Sequence, residues 1–156
     1  MNVADAWCQN KIDSASPAQA GIRHTSRARA LVVDDEAQVR QLLRDYLADI
    51  LGYEVIEAET AVGGLAATRV GHPDVVLLDL NMPGAVDGSS VVRAIAAEAP
   101  VIIISAVHSV DVARRTLQDG AFDFVMKPFA LSRVAEIIEL AIAHGHGSSG
   151  VIPRLR

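Results

Sequence analysis

Residues 75–84, VVLLDLNMPG, run four branched apolar side chains into an aspartate and then into a turn. A short apolar run bounded by turn signals reads as a strand covered on both faces, and such strands belong to parallel sheets flanked by helices. Asp79 closes this run. An unpaired charge inside such a strand would carry a heavy desolvation cost, so the carboxylate belongs at the strand end, where the chain leaves the sheet.

Outward from this strand the apolar period alternates between two and 3.6. ALVVD (30–34), YEVIEA (53–58), DVVLLD (74–79), VIIIS (101–105) and FDFVM (122–126) read as strands. Between the first two, Val39, Leu42, Leu43, Tyr46, Leu47 and Ile50 keep helical spacing until Gly52 closes the segment. A second helix opens at Thr60 and ends before Gly71, weakened by Gly63 and Gly64. Helices over 88–98, 109–118 and 130–143 follow. Five βα units predict an α/β, doubly wound parallel sheet, because right-handed crossovers place helices on both faces. Ligands of such sheets bind beyond the carboxyl ends of the strands.

The 156 residues suit one domain. With 51% hydrophobic residues there is material for a sizeable core, yet the apolar runs fall short of the roughly 18 residues of a membrane span. A net charge of −5 without a long Lys/Arg block argues against nucleic acid or anionic lipid as the main partner. The lone cysteine, Cys8, excludes a disulfide framework within the chain, and residues 1–20 carry no apolar signal region, so a cytoplasmic protein is expected. Residues 1–28 read as a flexible leader, 29–143 as the folded domain, and 144–156, HGHGSSGVIPRLR, as a polar flexible tail.

Four strand ends carry chemistry: Asp34-Asp35-Glu36 after the first, Asp79 after the third, Ser105 in the fourth and Lys127-Pro128 after the fifth. Clustered carboxylates repel and raise one another's pKa unless a counter-charge joins them. All-oxygen ligation points to a hard cation such as Mg²⁺. With Lys127 and Ser105 alongside, the set reads as a phosphoryl-binding site in which Asp79 is the candidate nucleophile. Taken singly, each residue has a plainer reading. Asp34 or Asp35 would cap a helix, Asp79 a turn, Ser105 would be a cap, Lys127 a solvated side chain and Phe124 part of the core.

In order, LVVDDE (31–36), VVLLDLNMPG (75–84), VIIISA (101–106) and FDFVMKPF (122–129) make the chain resemble a receiver domain of the bacterial two-component response regulators, over about residues 29–143. The resemblance implies a flavodoxin-like (βα)5 sandwich with strand order 2-1-3-4-5. It implies that Asp79 is the phosphoacceptor and that Asp34, Asp35, Asp79 and the Asn81 main-chain carbonyl hold Mg²⁺. Ser105 and Lys127 stand at the family's hydroxyl and lysine positions, Phe124 at its aromatic switch, and Pro128 at a proline preceded by a cis bond. The implied donor is a sensor histidine kinase or histidine phosphotransfer protein, and the implied output is contact with a downstream protein. Two copies would pair through the fourth helix, fifth strand and fifth helix, with Arg114, Arg115, Asp119 and Asp123 contributing charges; read plainly, these four are solvated.

Three positions depart from the family pattern. One extra residue lies between Pro83 and Gly88, Phe124 replaces a common tyrosine, and Val107 is apolar where relatives often carry a polar group that affects hydrolysis. With only the short tail after the last helix, a stand-alone receiver is expected, the alternative being a fragment of a larger regulator. A phosphorylation-independent binding module is the rival from another class. A haloacid-dehalogenase-type phosphatase would want a second acid where Asn81 stands.

Overall fold

The computed structural model describes residues 27–82 and 88–146. The leader expected over 1–28 lies outside them apart from Arg27 and Ala28, as do residues 147–156 of the expected tail and loop residues 83–87, where the extra residue was expected. The elements run β1 (Arg29–Val33), α1 (Ala37–Asp45), β2 (Glu54–Ala58), α2 (Ala61–Gly71), β3 (Val75–Leu78), α3 (Gly88–Ala96), β4 (Val101–Ser105), α4 (Val110–Gln118), β5 (Asp123–Met126) and α5 (Leu131–His146). All strand pairs are parallel, in the order β2-β1-β3-β4-β5. This is the doubly wound, flavodoxin-like arrangement expected from the alternation of periods.

The strict alternation of side chains along each strand divides the core in two. Ala30, Val32, Val75, Leu77, Ile102 and Ile104 pack with Leu43 of α1 and with Val134, Ile137 and Ile138 of α5. The intervening residues, Leu31, Val33, Val76, Leu78, Val101 and Ile103, pack with Ala61 of α2 and with Val92 and Ile95 of α3. Both faces of β3 and β4 are therefore dry, and each large aliphatic side chain buried there contributes about 1.5–3 kcal/mol of transfer free energy. That double burial leaves the strand ends as the place for polar groups.

The first helix differs from its expected form. After Asp45 it widens into a π-helical turn, Tyr46–Ile50, in which the Leu51 N–H donates to the Tyr46 carbonyl at 3.2 Å. Leu43 and Leu47 are buried, whereas Leu42 is 48% and Ile50 69% exposed. The apolar stripe contained the adjacent pairs 42/43 and 46/47, and neighbours on a helix cannot both point inward. The last helix extends beyond the expected 143, to His146.

On α2 the glycines have a packing reason. Thr60 caps the helix by accepting from the Gly63 N–H at 3.0 Å, and a Cβ on Gly64 would lie 2.8 Å from both Val33 methyls. A side chain there would force the helix off β1. The edge strand β2 is tied down by charge, with Glu54 on Arg29 at 3.1 Å and Glu57 on Arg44 at 3.5 Å, and Glu59, the residue after the strand, on Arg40 at 3.0 Å.

Alanine is the better helix former by about 1 kcal/mol. Gly64→Ala is nevertheless expected to destabilise the domain by roughly 1–3 kcal/mol through overpacking against Val33, read as a lower urea midpoint at unchanged slope.

Candidate functional site

Each strand relevant to the site passes its ladder one residue beyond its formal end. Asp34 N–H donates to the Ala58 carbonyl at 3.2 Å, Asp79 N–H to Val33 at 2.9 Å, and Lys127 N–H to Ser105 at 2.8 Å. These bonds hold Asp34, Asp79, Ser105 and Lys127 in register along one rim of the sheet. Because β1 and β3 are neighbours, Asp34 and Asp79 emerge side by side.

The rim side chains share a local device. Asp34 Oδ1 accepts from the Glu36 N–H at 2.8 Å, Asp79 Oδ1 from the Asn81 N–H at 2.9 Å, and Ser105 Oγ from the Val107 N–H at 3.2 Å. Each is an i-to-i+2 turn of the kind that Asp and Ser side chains favour. One oxygen of each carboxylate is spent on its own turn, and the second points into the rim. Those second oxygens meet Lys127, whose Nζ lies 2.8 Å from Asp34 Oδ2 and 3.3 Å from Asp79 Oδ2.

Lys127 follows β5, two strands from Asp79 and three from Asp34, and strands are spaced about 4.8 Å apart, so its ammonium must cross the end of β4. There stands Ser105, small and completely buried. A long side chain at that position would occupy the path. The Lys127–Pro128 peptide bond is cis, as the resemblance implied.

Asp34 and Asp79 are 2% and 3% exposed, while Asp35 and Glu36 face solvent. One oxygen from each of the four lies within 4.8 Å of the others, and three of them, Asp34, Glu36 and Asp79, pair with the Lys127 ammonium. Burial pushes the Asp34 pKa up, and the Asp79 charge adds to this; the Lys127 and Glu36 N–H hydrogen bonds offset only part of it. Burial alone would lower the pKa of Lys127, but hydrogen bonds to Asp34 and Glu36 outweigh that and hold it well above the ordinary lysine value.

Phe124 is half-buried, packs against the α2–α3 side of the core and lines an open groove of about 410 Å³ shared with His108, Met126 and Phe129. Asn81 is exposed beside Asp79. Asp34, Asp35, Asp79, Asn81, Ser105 and Lys127 therefore lie at the carboxyl end of the sheet, and Phe124 stands within β5, opposite Ile103.

Two residues take parts that the sequence reading did not assign. Glu36, placed at the first strand end but given no role, reaches Lys127 at 3.1 Å and makes the acidic pair a trio. Its adjacency to Asp34-Asp35 was the available signal. Arg40, on α1, is nearly buried; it donates to the Asp34 carbonyl at 2.7 Å and to Glu59 at 3.0 Å, and lies 3.6 Å from Glu57. A cation spaced three residues before Leu43 on the inward stripe, with alternate glutamates at 57 and 59 at the end of the second strand, was the pattern that pointed to it.

Comparison with known proteins gives the same picture. The family model described as "Response regulator receiver domain" matches residues 30–139. The chain is 37% identical over 124 residues to the transcriptional regulatory protein PrrA of Mycobacterium bovis, covering 78% of this chain and 52% of that protein. It is 38% identical over 136 residues to protein-glutamate methylesterase/protein-glutamine glutaminase 5 of Myxococcus xanthus, covering 83% and 39%. The chain thus spans about half or less of the length of these curated relatives. Among solved structures it is similar to the signal receiver domain of a putative Luxo repressor protein from Vibrio parahaemolyticus (TM-score 0.71, 28% identity, 79% of this chain and 95% of that one). A CheY-like receiver domain protein from Methanospirillum hungatei superposes with TM-score 0.72 at 25% identity, covering 79% and 99%.

The charge imbalance at the rim sets two stability changes of opposite sign. With chelator present, Asp79→Asn is expected to stabilise the domain by about 1 kcal/mol by relieving repulsion, and Lys127→Met to destabilise it by about 2–4 kcal/mol by stranding buried carboxylates. Urea unfolding of both variants checks the pair of signs.

Proposed function

Because the chain belongs to the response regulator receiver family, we propose that Asp79 accepts a phosphoryl group from a histidine kinase or histidine phosphotransfer protein. The observation that carries this reading is the free side of the Asp79 carboxylate, held against the Lys127 ammonium at the rim while its other oxygen is anchored to Asn81. In the transfer an Asp79 oxygen forms the new O–P bond as the donor's N–P bond breaks. The imidazole leaves with the electron pair and is reprotonated from solvent, and water later attacks phosphorus to return inorganic phosphate and the free carboxylate.

The cluster of hard oxygen donors fits Mg²⁺. Asp34, Asp35 and Asp79, with the Asn81 main-chain carbonyl, would hold it. When bound, the ion neutralises negative charge on the phosphoryl oxygens. Lys127 places a second positive charge beside them. Ser105 accepts from Val107, which leaves its O–H to donate to a phosphoryl oxygen. Drawing Ser105 and Lys127 toward that group biases Phe124 between its exposed groove and the space Ser105 leaves. The surface of α4, β5 and α5 changes with it, and this face is our candidate for contact with a downstream protein or a second copy. No helix among the described residues is long and apolar enough to cross a membrane.

Incubation with a small acyl-phosphate donor and Mg²⁺ is expected to add one phosphoryl group by intact mass to the wild type and none to Asp79→Asn. Turnover of the donor without a stable adduct would favour a phosphatase, and inertness a phosphorylation-independent module.

Val107 offers no group to orient an attacking water, so the acyl phosphate should persist. Val107→Glu is expected to shorten its lifetime several-fold, measured as decay of the phosphorylated mass, and an unchanged decay would remove this role for position 107.

A further inference from the structure

Outside the rim, one charged cluster ties two helices together. Asp119 caps the C-terminal end of α4, where the helix dipole presents negative charge and a carboxylate is disfavoured. It is there nonetheless, with its side chain 5% exposed. Arg93 of α3 approaches Asp119 Oδ1 with Nε and a terminal guanidinium nitrogen, each at 2.8 Å, and Ser89, one turn earlier on the same face, donates to Oδ2 at 2.5 Å. These partners hold the Asp119 carboxyl below the usual carboxylate range, the Ser89 hydrogen bond first and Arg93 with it.

The rest of α4 is loosely held. Thr116 is its one buried residue, and Val110 is 74% exposed. Just past the anchor, the Ala121 N–H donates to the Thr116 carbonyl at 3.0 Å, and Gly120, at φ 107°, lets the chain turn close to Ala96. Beside the anchor the packing is open, with a cleft of about 160 Å³ lined by Leu80, Gly88 and Ser89 on one side and by Val112, Arg115 and Thr116 of α4 on the other. Leu80 follows Asp79 directly, and Ser109, which caps α4, lies four residues after Ser105.

We infer that Asp119, gripped by Arg93 and Ser89, is a positioning residue that pins the C-terminal end of α4 to α3, so that displacement at Ser105 becomes a swing of the N-terminal half of α4 about this pin. The trigger rests on the phosphoacceptor reading of Asp79; the pin does not. A helix held along its whole length would resist such displacement, and one held nowhere would fray.

Hydrogen exchange on the full chain tests both parts, with wild type, Asp119→Asn, Arg93→Ala and Asp119→Glu, each before and after treatment with an acyl-phosphate donor and Mg²⁺. In the resting protein, Asp119→Asn and Arg93→Ala are expected to speed exchange at amides 115–119 by roughly tenfold, the scale of losing a charged hydrogen bond, while 113–114 stay nearly unchanged and Asp119→Glu restores much of the protection. After treatment, the change in the wild type should be confined to 106–114, and in the two broken variants it should extend to 119. Resting exchange at 115–119 unmoved by either broken variant would overturn the pin. So would a treated wild type that changes evenly along α4, or broken variants that keep the wild-type pattern. Intact mass, read on the same samples, reports separately whether Asp79 was modified; absence of the adduct would sink the phosphoacceptor reading, and the resting exchange would still decide the pin.

Discussion

One ammonium holds the site together. Lys127 stands between carboxylates that would otherwise repel one another, two of them almost fully withdrawn from water. At such burial a Coulombic contact is worth several times its value in bulk water, and an uncompensated charge costs correspondingly more. The remaining negative excess is what would draw a divalent cation to the rim in the function proposed above. Stability and chemistry therefore oppose each other here: the groups that would hold metal and phosphate are those that the folded state accommodates least easily.

The sheet makes this arrangement affordable in geometry. Strand order brings β1 and β3 together, so the two buried carboxylates meet without any long excursion of the chain, and β4 contributes a side chain small enough for the lysine of β5 to pass. The i-to-i+2 turns then fix one oxygen of each carboxylate and leave the other for partners. Arg40 adds support from beneath through the Asp34 carbonyl, which links the rim to α1 and to the glutamates of β2. These supports limit the directions in which the second carboxylate oxygens can point.

Much of this was legible in the sequence, for a physical reason. A doubly covered parallel strand has to be apolar, so a polar residue at its end is conspicuous, and Asp34, Asp79, Ser105 and Lys127 stood out against VVLL, VIII and FDFVM. Thr60 and Gly64 were legible as cap and weakness, though the close approach to Val33 that explains the glycine appears only when α2 is laid on β1. What stayed hidden depends on which side of a helix faces inward. Leu42 and Ile50 satisfy a helical period yet point outward, because period alone does not fix phase where apolar residues are adjacent. The partnership of Ser89 and Arg93 with Asp119 joins residues 30 and 26 positions apart on different helices, and Asp119 read plainly as solvated until the helices were seen side by side.

The edge strand β2 carries a further consequence. An open parallel edge displays unpaired backbone groups to which a strand of another molecule can add. Glu54, Glu57 and Glu59 lie along that border, each engaged by an arginine of its own molecule. The two more exposed pairs, Glu54 with Arg29 and Glu57 with Arg44, add little to folding stability. They do act as gatekeepers: an intruding strand would have to displace them and strip their water, so the border that supports the acidic rim from one side also guards the domain against edge-to-edge aggregation.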